Sequence, residues 1–203
     1  MKLFSILFFV YFVPTYVSAA EIQRVWLTHQ SHQPDKMVVN WSSPLPGNSI
    51  VHYGLNQKSM TTVKVEESTT LHHVEIPLTA SDVLYHYRVQ TGKQHSDMAT
   101  FKACPTDSLR VAIVADWQSR PDLSSLLKDD VHLLLTAGDN ISNLWQTCGP
   151  GKPDCIQPYL KLIAAYPELF RSTPFMPVLG NHDREVYPRG KKPPEHAVFD
   201  VRS

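Results

Sequence analysis

Three short segments combine residue types that can do chemistry together: Ala115-Asp116, Ala137-Gly138-Asp139-Asn140 and Gly180-Asn181-His182-Asp183. They sit at the ends of apolar runs at 111–115, 131–135 and 175–179. Short continuous runs of this kind suit strands covered on both faces, and the helix-like stretches between them indicate parallel α/β units. In an open parallel sheet the functional crevice lies beyond the carboxyl ends of the strands. The three segments are therefore expected to converge, bringing two carboxylates, an amide and an imidazole to one site. Carboxylates gathered that closely repel one another unless a cation neutralises them. Oxygen and nitrogen donors together suit a divalent or trivalent metal, so a metal site is the expected chemistry. Glycine at 138 and at 180 lets the chain turn sharply and leaves room beside a metal or anion. Taken singly, Asp116 reads as a helix cap and Gly138-Asp139-Asn140 as a turn. Gly180-Asn181-His182-Asp183 after an apolar run is more specific, and the three in this order carry the reading.

The elements that must position these residues follow from periodicity. A first helix is expected from near Pro121 to Asp130. A second spans Gln157–Ala165, where Tyr159, Leu162, Ile163 and Tyr166 recur at helical spacing until Pro167 stops it. Ahead of this α/β region, from Glu21 to about Ala103, apolar residues alternate instead: Met37, Val39, Trp41; Val51, Tyr53, Leu55; Val74, Ile76, Leu78; Tyr85, Tyr87, Val89. Period two in runs separated by turn residues predicts six or seven antiparallel strands and a sandwich of the immunoglobulin or fibronectin type. The boundary falls near residues 103–108. His72 and His73, adjacent in one strand, point to opposite faces and read as ordinary strand histidines. Asn40-Trp41-Ser42 is a formal glycosylation sequon.

The chain has 203 residues, with 19 basic and 19 acidic side chains, so neither a basic stripe for a phosphate backbone nor an acidic tail is present. A nucleic-acid scaffold is excluded as partner on that ground. Sixteen prolines argue against a helical bundle. Met1, Lys2, an apolar run over 3–13 and then Ser18-Ala19-Ala20 have the form of a cleaved secretory signal, too short in its apolar part to span a bilayer. The expected destination is secreted or periplasmic. In that oxidising setting Cys148 and Cys155, bracketing a Gly-Pro-rich turn, are expected to pair, leaving Cys104 as a thiol without assigned chemistry.

The order of the three segments resembles the calcineurin-like metallophosphoesterases, whose blocks run from an Asp-containing strand end through GD to GNH followed by D or E. The preceding sandwich looks like the N-terminal domain of the purple acid phosphatases, including the stretches VVNWSSPLPGNSIVHYG and LYHYRVQTG. The fold implied is mixed: an antiparallel sandwich over 21–104 after a signal at 1–20, then an incomplete α/β phosphoesterase domain over 108–203. The resemblance implies a secreted phosphomonoesterase of acid phosphatase type, acting on a small phosphoester with two metal ions of iron, zinc or manganese. It makes Asp116 a ligand of the first ion, Asp139 the carboxylate bridging both and Asn181 a ligand of the second. His182 would contact the phosphate and assist the leaving oxygen, with Asp183 holding its imidazole in the working tautomer.

Three departures from the family pattern bear on the metal. Ser142 stands where purple acid phosphatases carry a tyrosine ligand, so a purple ferric site is not expected. Gln118 stands where many relatives carry a histidine; its amide oxygen can coordinate, as a weaker neutral donor. The isolated His and GHxH blocks of the family do not appear before Ser203, and His196 reads as loop. The expected result is weak metal binding and poor hydrolysis, with an open sheet edge and an uncovered apolar face that favour association. The alternative left open is a non-catalytic secreted binding module, with the sandwich as its working part and the phosphoesterase half vestigial.

Overall fold

The computed structural model describes residues 22–30, 33–119 and 122–191. The signal read at 1–20, the helix start expected at Pro121 and the loop histidine His196 lie outside the described residues. The alternating region forms six strands: β1 (Arg24–Thr28), β2 (Lys36–Asn56), β3 (Ser59–Pro77), β4 (Leu84–Thr91), β5 (Gln94–His95) and β6 (Ala99–Lys102). Every pairing among them is antiparallel. β2 and β3 make one long hairpin whose register shifts between Ser42 and Gly47 and again between Gly47 and Ser49. This irregularity bends the hairpin from one layer into the other. Residues 36–42 pair with β1 and with 71–77, whereas 49–53 pair with 61–65 and 50–54 pair with β4. The result is the expected fibronectin-III-like sandwich, its two layers closing on one core that includes Leu27, Trp41, Val51, Ile76, Tyr87 and Phe101.

The alternation that predicts these strands is the alternation that buries them: β4 is buried at every second residue, Tyr85, Tyr87, Val89 and Thr91. At the bend of the long hairpin the core becomes polar. Trp41 stacks on His72, with ring centroids 4.5 Å apart, and donates its indole N–H to Thr91 Oγ1 at 2.8 Å. His72 has Ser49 Oγ at 2.7 Å from Nδ1 and Ser43 Oγ at 2.8 Å from Nε2. Ser43 donates its own hydroxyl to the Leu45 carbonyl, so His72 Nε2–H is the donor to Ser43. Burial lowers the His72 pKa to about 4, and the neighbouring His73 adds to the shift. His73 faces the other way, toward Asn40 Oδ1 and the edge of Trp26. The Asn40 sequon is closed to modification in the folded chain: Asn40 is buried and its Nδ2 donates to Trp26 O, Thr28 Oγ1 and Val38 O.

The second region is built on a parallel sheet in the order β7 (Val111–Val114), β8 (Leu133–Thr136) and β9 (Phe175–Met176). Helices α1 (Trp145–Cys148), α2 (Gln157–Ala165) and α3 (Pro167–Ser172) follow β8 in the chain. One sheet face packs Ala112, Val114, Leu134 and Phe175 against Trp117, Leu160, Ile163 and Phe170. The opposite face is uncovered among the described residues: Ile113 is 69% exposed, and Val111 is exposed beside it. Two helix expectations change. The helix expected up to Asp130 is a single 3-10 turn, Ser124–Leu127, with no fully buried residue of its own: Leu123 and Leu126 only partly bury against the second core and Leu127 is exposed, too little packing to hold a longer helix. Pro167 does stop α2, but it also opens α3, where its missing N–H falls in the first turn and goes unmissed.

The two regions are fastened together. Tyr87 O–H donates to the Arg171 carbonyl of α3 at 2.7 Å, His29 N–H points at Met176 Sδ, and Trp26 of β1 packs against the second core. Cys148 and Cys155 form the expected disulfide; Cys104 is free and half-buried. Among the described residues no helix is long and apolar enough to cross a membrane.

Candidate metal centre

Strands β7 and β8 run parallel in register, Val114 opposite Thr136, and so release their chains at the same level. Ala137 N–H donates to Val114 O at 2.8 Å and Asp116 N–H donates to Gly138 O at 3.3 Å, which carries the pairing into the loops. There both chains turn in the same way. Asp116 and Asp139 each take φ +54°, a left-handed bend that non-glycine residues adopt at a cost of roughly 1 to 2 kcal/mol. Strain of this kind is retained where surrounding structure enforces it, most often at functional sites.

The enforcing contact is glycine against glycine. A Cβ on Gly138, itself at φ +98°, would lie 2.9 Å from Gly180 Cα. A Cβ on Gly180 would lie 2.1 Å from Asp139 Oδ1 and 2.5 Å from Asp139 N. Both positions thus need glycine for the close approach, in keeping with the room that the residue types suggest. The loop after β9 then bonds to the loop after β8, with His182 N–H donating to Asp139 Oδ1 at 3.0 Å.

Asp183 corrects the role expected for it. Its carboxylate does not hold the imidazole of His182. Instead it is buried, 4% exposed, and collects donors from both loops and a helix. Gly180 N–H reaches Oδ2 at 2.8 Å, Ile141 N–H reaches Oδ1 at 3.2 Å, and Asn140 donates both its backbone N–H and its Nδ2 at 3.1 Å. Tyr159 of α2 donates its hydroxyl to Oδ1 at 2.9 Å, and burial together with that bond raises the tyrosine pKa. A carboxylate seven residues past the end of β9 points back beneath the loop, where unpaired backbone N–H groups need an acceptor.

His182 is oriented by other groups. Its Nδ1 lies 2.8 Å from the Ser142 carbonyl, which can only accept, so Nδ1 carries a proton. Its Nε2 is 3.1 Å from the Arg189 guanidinium, and Glu185 Oε2 is 3.4 Å from Nδ1. Arg189 in turn is bonded to Glu185 Oε1 at 3.1 Å. Asn181 is exposed at the rim of the same loop. Gln118 is placed elsewhere: it lines a cavity with Asn140 and Ser142 that Asp116, Asp139 and Asn181 do not line. Among the described residues no three His, Cys, Asp or Glu side chains are grouped to hold a metal.

Sequence reasoning names Asp116, Gln118, Asp139, Asn181, His182 and Asp183 and misses Tyr159, Glu185, Arg189 and the part played by the Ser142 carbonyl. The signal for Tyr159 was absorbed by its helical spacing, which marks it as an apolar-face residue. Ser142 acts through its backbone carbonyl, which no side-chain pattern reveals. Glu185 and Arg189 follow the GNHD segment closely, and that proximity was the available clue.

Residues 109–201 match the model of the calcineurin-like phosphoesterase family. A solved structure described as that of PhoD superposes with TM-score 0.60 at 14% identity, covering 89% of this chain and 44% of that one. The chain therefore spans less than half the length of that structure. The sixth fibronectin type III domain of a human fibronectin type III domain-containing protein matches at 18% identity, covering 45% of this chain and 91% of that domain, with TM-score 0.35. No curated protein matches the chain.

Proposed function

We propose that this chain, whose residues 109–201 carry the calcineurin-like phosphoesterase match, acts as a secreted phosphomonoesterase of acid phosphatase type with a binuclear metal centre. The observation that carries the reading is the pair of carboxylates, Asp116 and Asp139, held in the same left-handed bend at the ends of adjacent parallel strands. The donors fit such a centre in kind. Two carboxylates and an exposed amide offer hard oxygens, and the Gly138–Gly180 contact keeps the space beside Asp139 free of any Cβ. Asp116, Asp139 and Asn181 would hold ions of iron, zinc or manganese, Asp139 serving both. Ions so bound supply positive charge to a phosphoryl oxygen and ease the ionisation of water. With no histidine among these donors, affinity is expected to be low.

The protein's own part centres on His182. With Nδ1–H fixed on the Ser142 carbonyl, Nε2 is the ring nitrogen left to exchange a proton with a substrate, and Glu185 Oε2 lies beside Nδ1. Protonation at Nε2 replaces an acceptor for Arg189 with a competing donor and releases the guanidinium toward a phosphate oxygen. The Nε2 proton then passes to the leaving oxygen, and the lone pair left behind takes Arg189 back. Asp183 and Tyr159 hold the two loops that carry these groups.

The test is manganese titration of the purified chain followed by calorimetry, with p-nitrophenyl phosphate hydrolysis measured in parallel. Slow, manganese-dependent hydrolysis is expected, falling more than roughly 100-fold in Asp139→Asn along with metal binding. Hydrolysis indifferent to chelator and to Asp139→Asn would overturn the reading.

A further inference from the structure

The outer face of β2, β4 and β5 gathers basic side chains. The inward positions Val51, Tyr53, Tyr87 and Val89 are buried, so the residues between them point outward. His52 of β2 stands directly opposite Arg88 of β4, which has His86 and Gln90 as neighbours on the same face; Gln90 in turn stands opposite His95 of β5. Arg88 is thus flanked by imidazoles from three strands. Paired residues on adjacent strands have Cβ atoms about 5 Å apart, and same-face neighbours along a strand lie about 7 Å apart. His52 meets Thr62 Oγ1 at 2.9 Å and Gln90 Oε1 at 3.1 Å, and His86 Nδ1 lies 3.4 Å from Gln57 Nε2. Arg88 is half-buried and makes no side-chain hydrogen bond or ion pair among the described residues.

The acids nearby are engaged with other cations. On β3, Lys64 is paired with Glu66 at 2.6 Å, and on β6, Lys102 lies between Asp82 and Asp130. Lys93 and Asp97 bracket β5 in the chain. Burial, and then the charges of Arg88 and His52, hold the His95 imidazole below its ordinary pKa, with no acidic neighbour acting in the other direction. The charge of this face therefore rises from that of Arg88 toward that of all four groups as pH falls through the histidine range. An anion laid across it relieves their mutual repulsion, and each proton an imidazole then takes strengthens the hold.

The kind of anion follows from valency and acidity. On an exposed sheet a single small anion gains little, whereas a polymer engages several cations at once and releases its counterions. A phosphate monoester gives up its second charge near pH 6, and carboxylates begin to protonate toward pH 4, as the imidazoles gain theirs. A sulfate ester keeps its charge throughout. A nucleic acid would keep its charge as well, but the rings of Tyr53, Tyr85 and Tyr87 are turned into the core and offer no stacking platform. Thr62 and Gln90 set a hydroxyl and an amide among the cations, groups suited to sugar hydroxyls. We infer that this face of the sandwich binds a sulfated polysaccharide, with a hold that tightens as the medium acidifies. None of its residues belongs to the candidate metal centre, so the proposal stands apart from the phosphoesterase reading.

The experiment is binding of the full chain to immobilised heparin by surface plasmon resonance, at about pH 7.5 and about pH 5 and constant ionic strength. Affinity is expected to be about tenfold higher at the lower pH, with a steeper fall as salt is raised. Arg88→Gln should weaken binding about fivefold at both pH values. Replacing His52, His86 and His95 together by Gln should leave the affinity at the higher pH within about twofold and remove the gain on acidification. None of these side chains is fully buried, so the variants keep the core intact. Lys152→Gln takes a cation from the disulfide loop and should change nothing. Equal affinity at the two pH values, or a loss in Lys152→Gln as large as in Arg88→Gln, would overturn the proposal. Equal binding of desulfated heparin, or tighter binding of single-stranded DNA or of phosphatidylserine vesicles than of heparin, would overturn it as well.

Discussion

The sandwich and the α/β region differ in which buried polar groups they leave unpaired. In the sandwich the fully buried polar side chains Asn40, Ser43, Ser49, His72 and Thr91 each have a partner, while half-buried Gln33 and Arg88 keep a buried atom unpaired; its left-handed positions are Gly92, with open space around it, and Asp82. In the α/β region fully buried Asn140, His132 and Trp117 each keep a buried atom unpaired, half-buried Gln118 does the same, and three aspartates, Asp116, Asp130 and Asp139, occupy left-handed backbone that glycine would adopt more cheaply. Among the described residues only the α/β region leaves an unpaired atom on a side chain that is itself fully buried. Such groups are rare in folded chains because each costs free energy.

The sharpest way to break this contrast is a pair of glycine substitutions. Gly180→Ala drives a Cβ into the Asp139 backbone and carboxylate and should cost about 3 kcal/mol or more, with loss of any manganese binding. Gly92→Ala meets nothing within 4 Å and should cost only about 1 kcal/mol, the penalty of its φ of +57°. Urea unfolding of both variants measures the difference; equal losses would erase the distinction between the regions. Next in size, Asp183→Asn replaces an acceptor of several bonds by an amide that also brings donors, and should lose about 3 kcal/mol. Because the damage is to the α/β region, near-ultraviolet dichroism of Trp117 and Trp145 should change before that of the sandwich.

Acid should act on the sandwich instead. His72 titrates near pH 4 when folded and near 6.5 when unfolded, so the unfolded chain binds the extra proton between those values. Stability from this group is complete above about pH 6.5 and is lost as pH falls toward 4, by up to ~3 kcal/mol. His73 and His29, both lowered by burial, act in the same direction. Urea midpoints measured from pH 7 to pH 4 should fall steadily, and His72→Gln should flatten the slope. A smaller effect than that of Asp183→Asn is expected from reducing Cys148–Cys155, which closes a loop of seven residues' separation and contributes roughly 2 kcal/mol on chain-entropy grounds, felt only at that loop.

Legibility differed between the regions for physical reasons. Strand alternation is a local property, so Met37, Val39 and Trp41 announce their own burial. The bend between Ser42 and Ser49 that passes one hairpin through two layers is not a local property; it depends on His72 and Thr91 arriving from elsewhere in the chain. Helix α2 was legible because four residues repeat at its period, whereas Pro167 reads equally as a stop and as a start. At the candidate site, residue types at strand ends named Asp116, Asp139 and His182. The work of Asp183 stayed hidden because its donors lie 24 to 43 positions away, on Tyr159, Asn140 and Ile141.

The contact between Gly138 and Gly180 has a consequence for anyone who would redesign this chain. Two backbones that touch without side chains between them cannot be varied one at a time: a larger residue at either place displaces the other loop and, with it, Asp139. Libraries aimed at new specificity should leave both positions untouched and place their diversity at Gln118, Gln146 and Lys161, whose side chains border open volume.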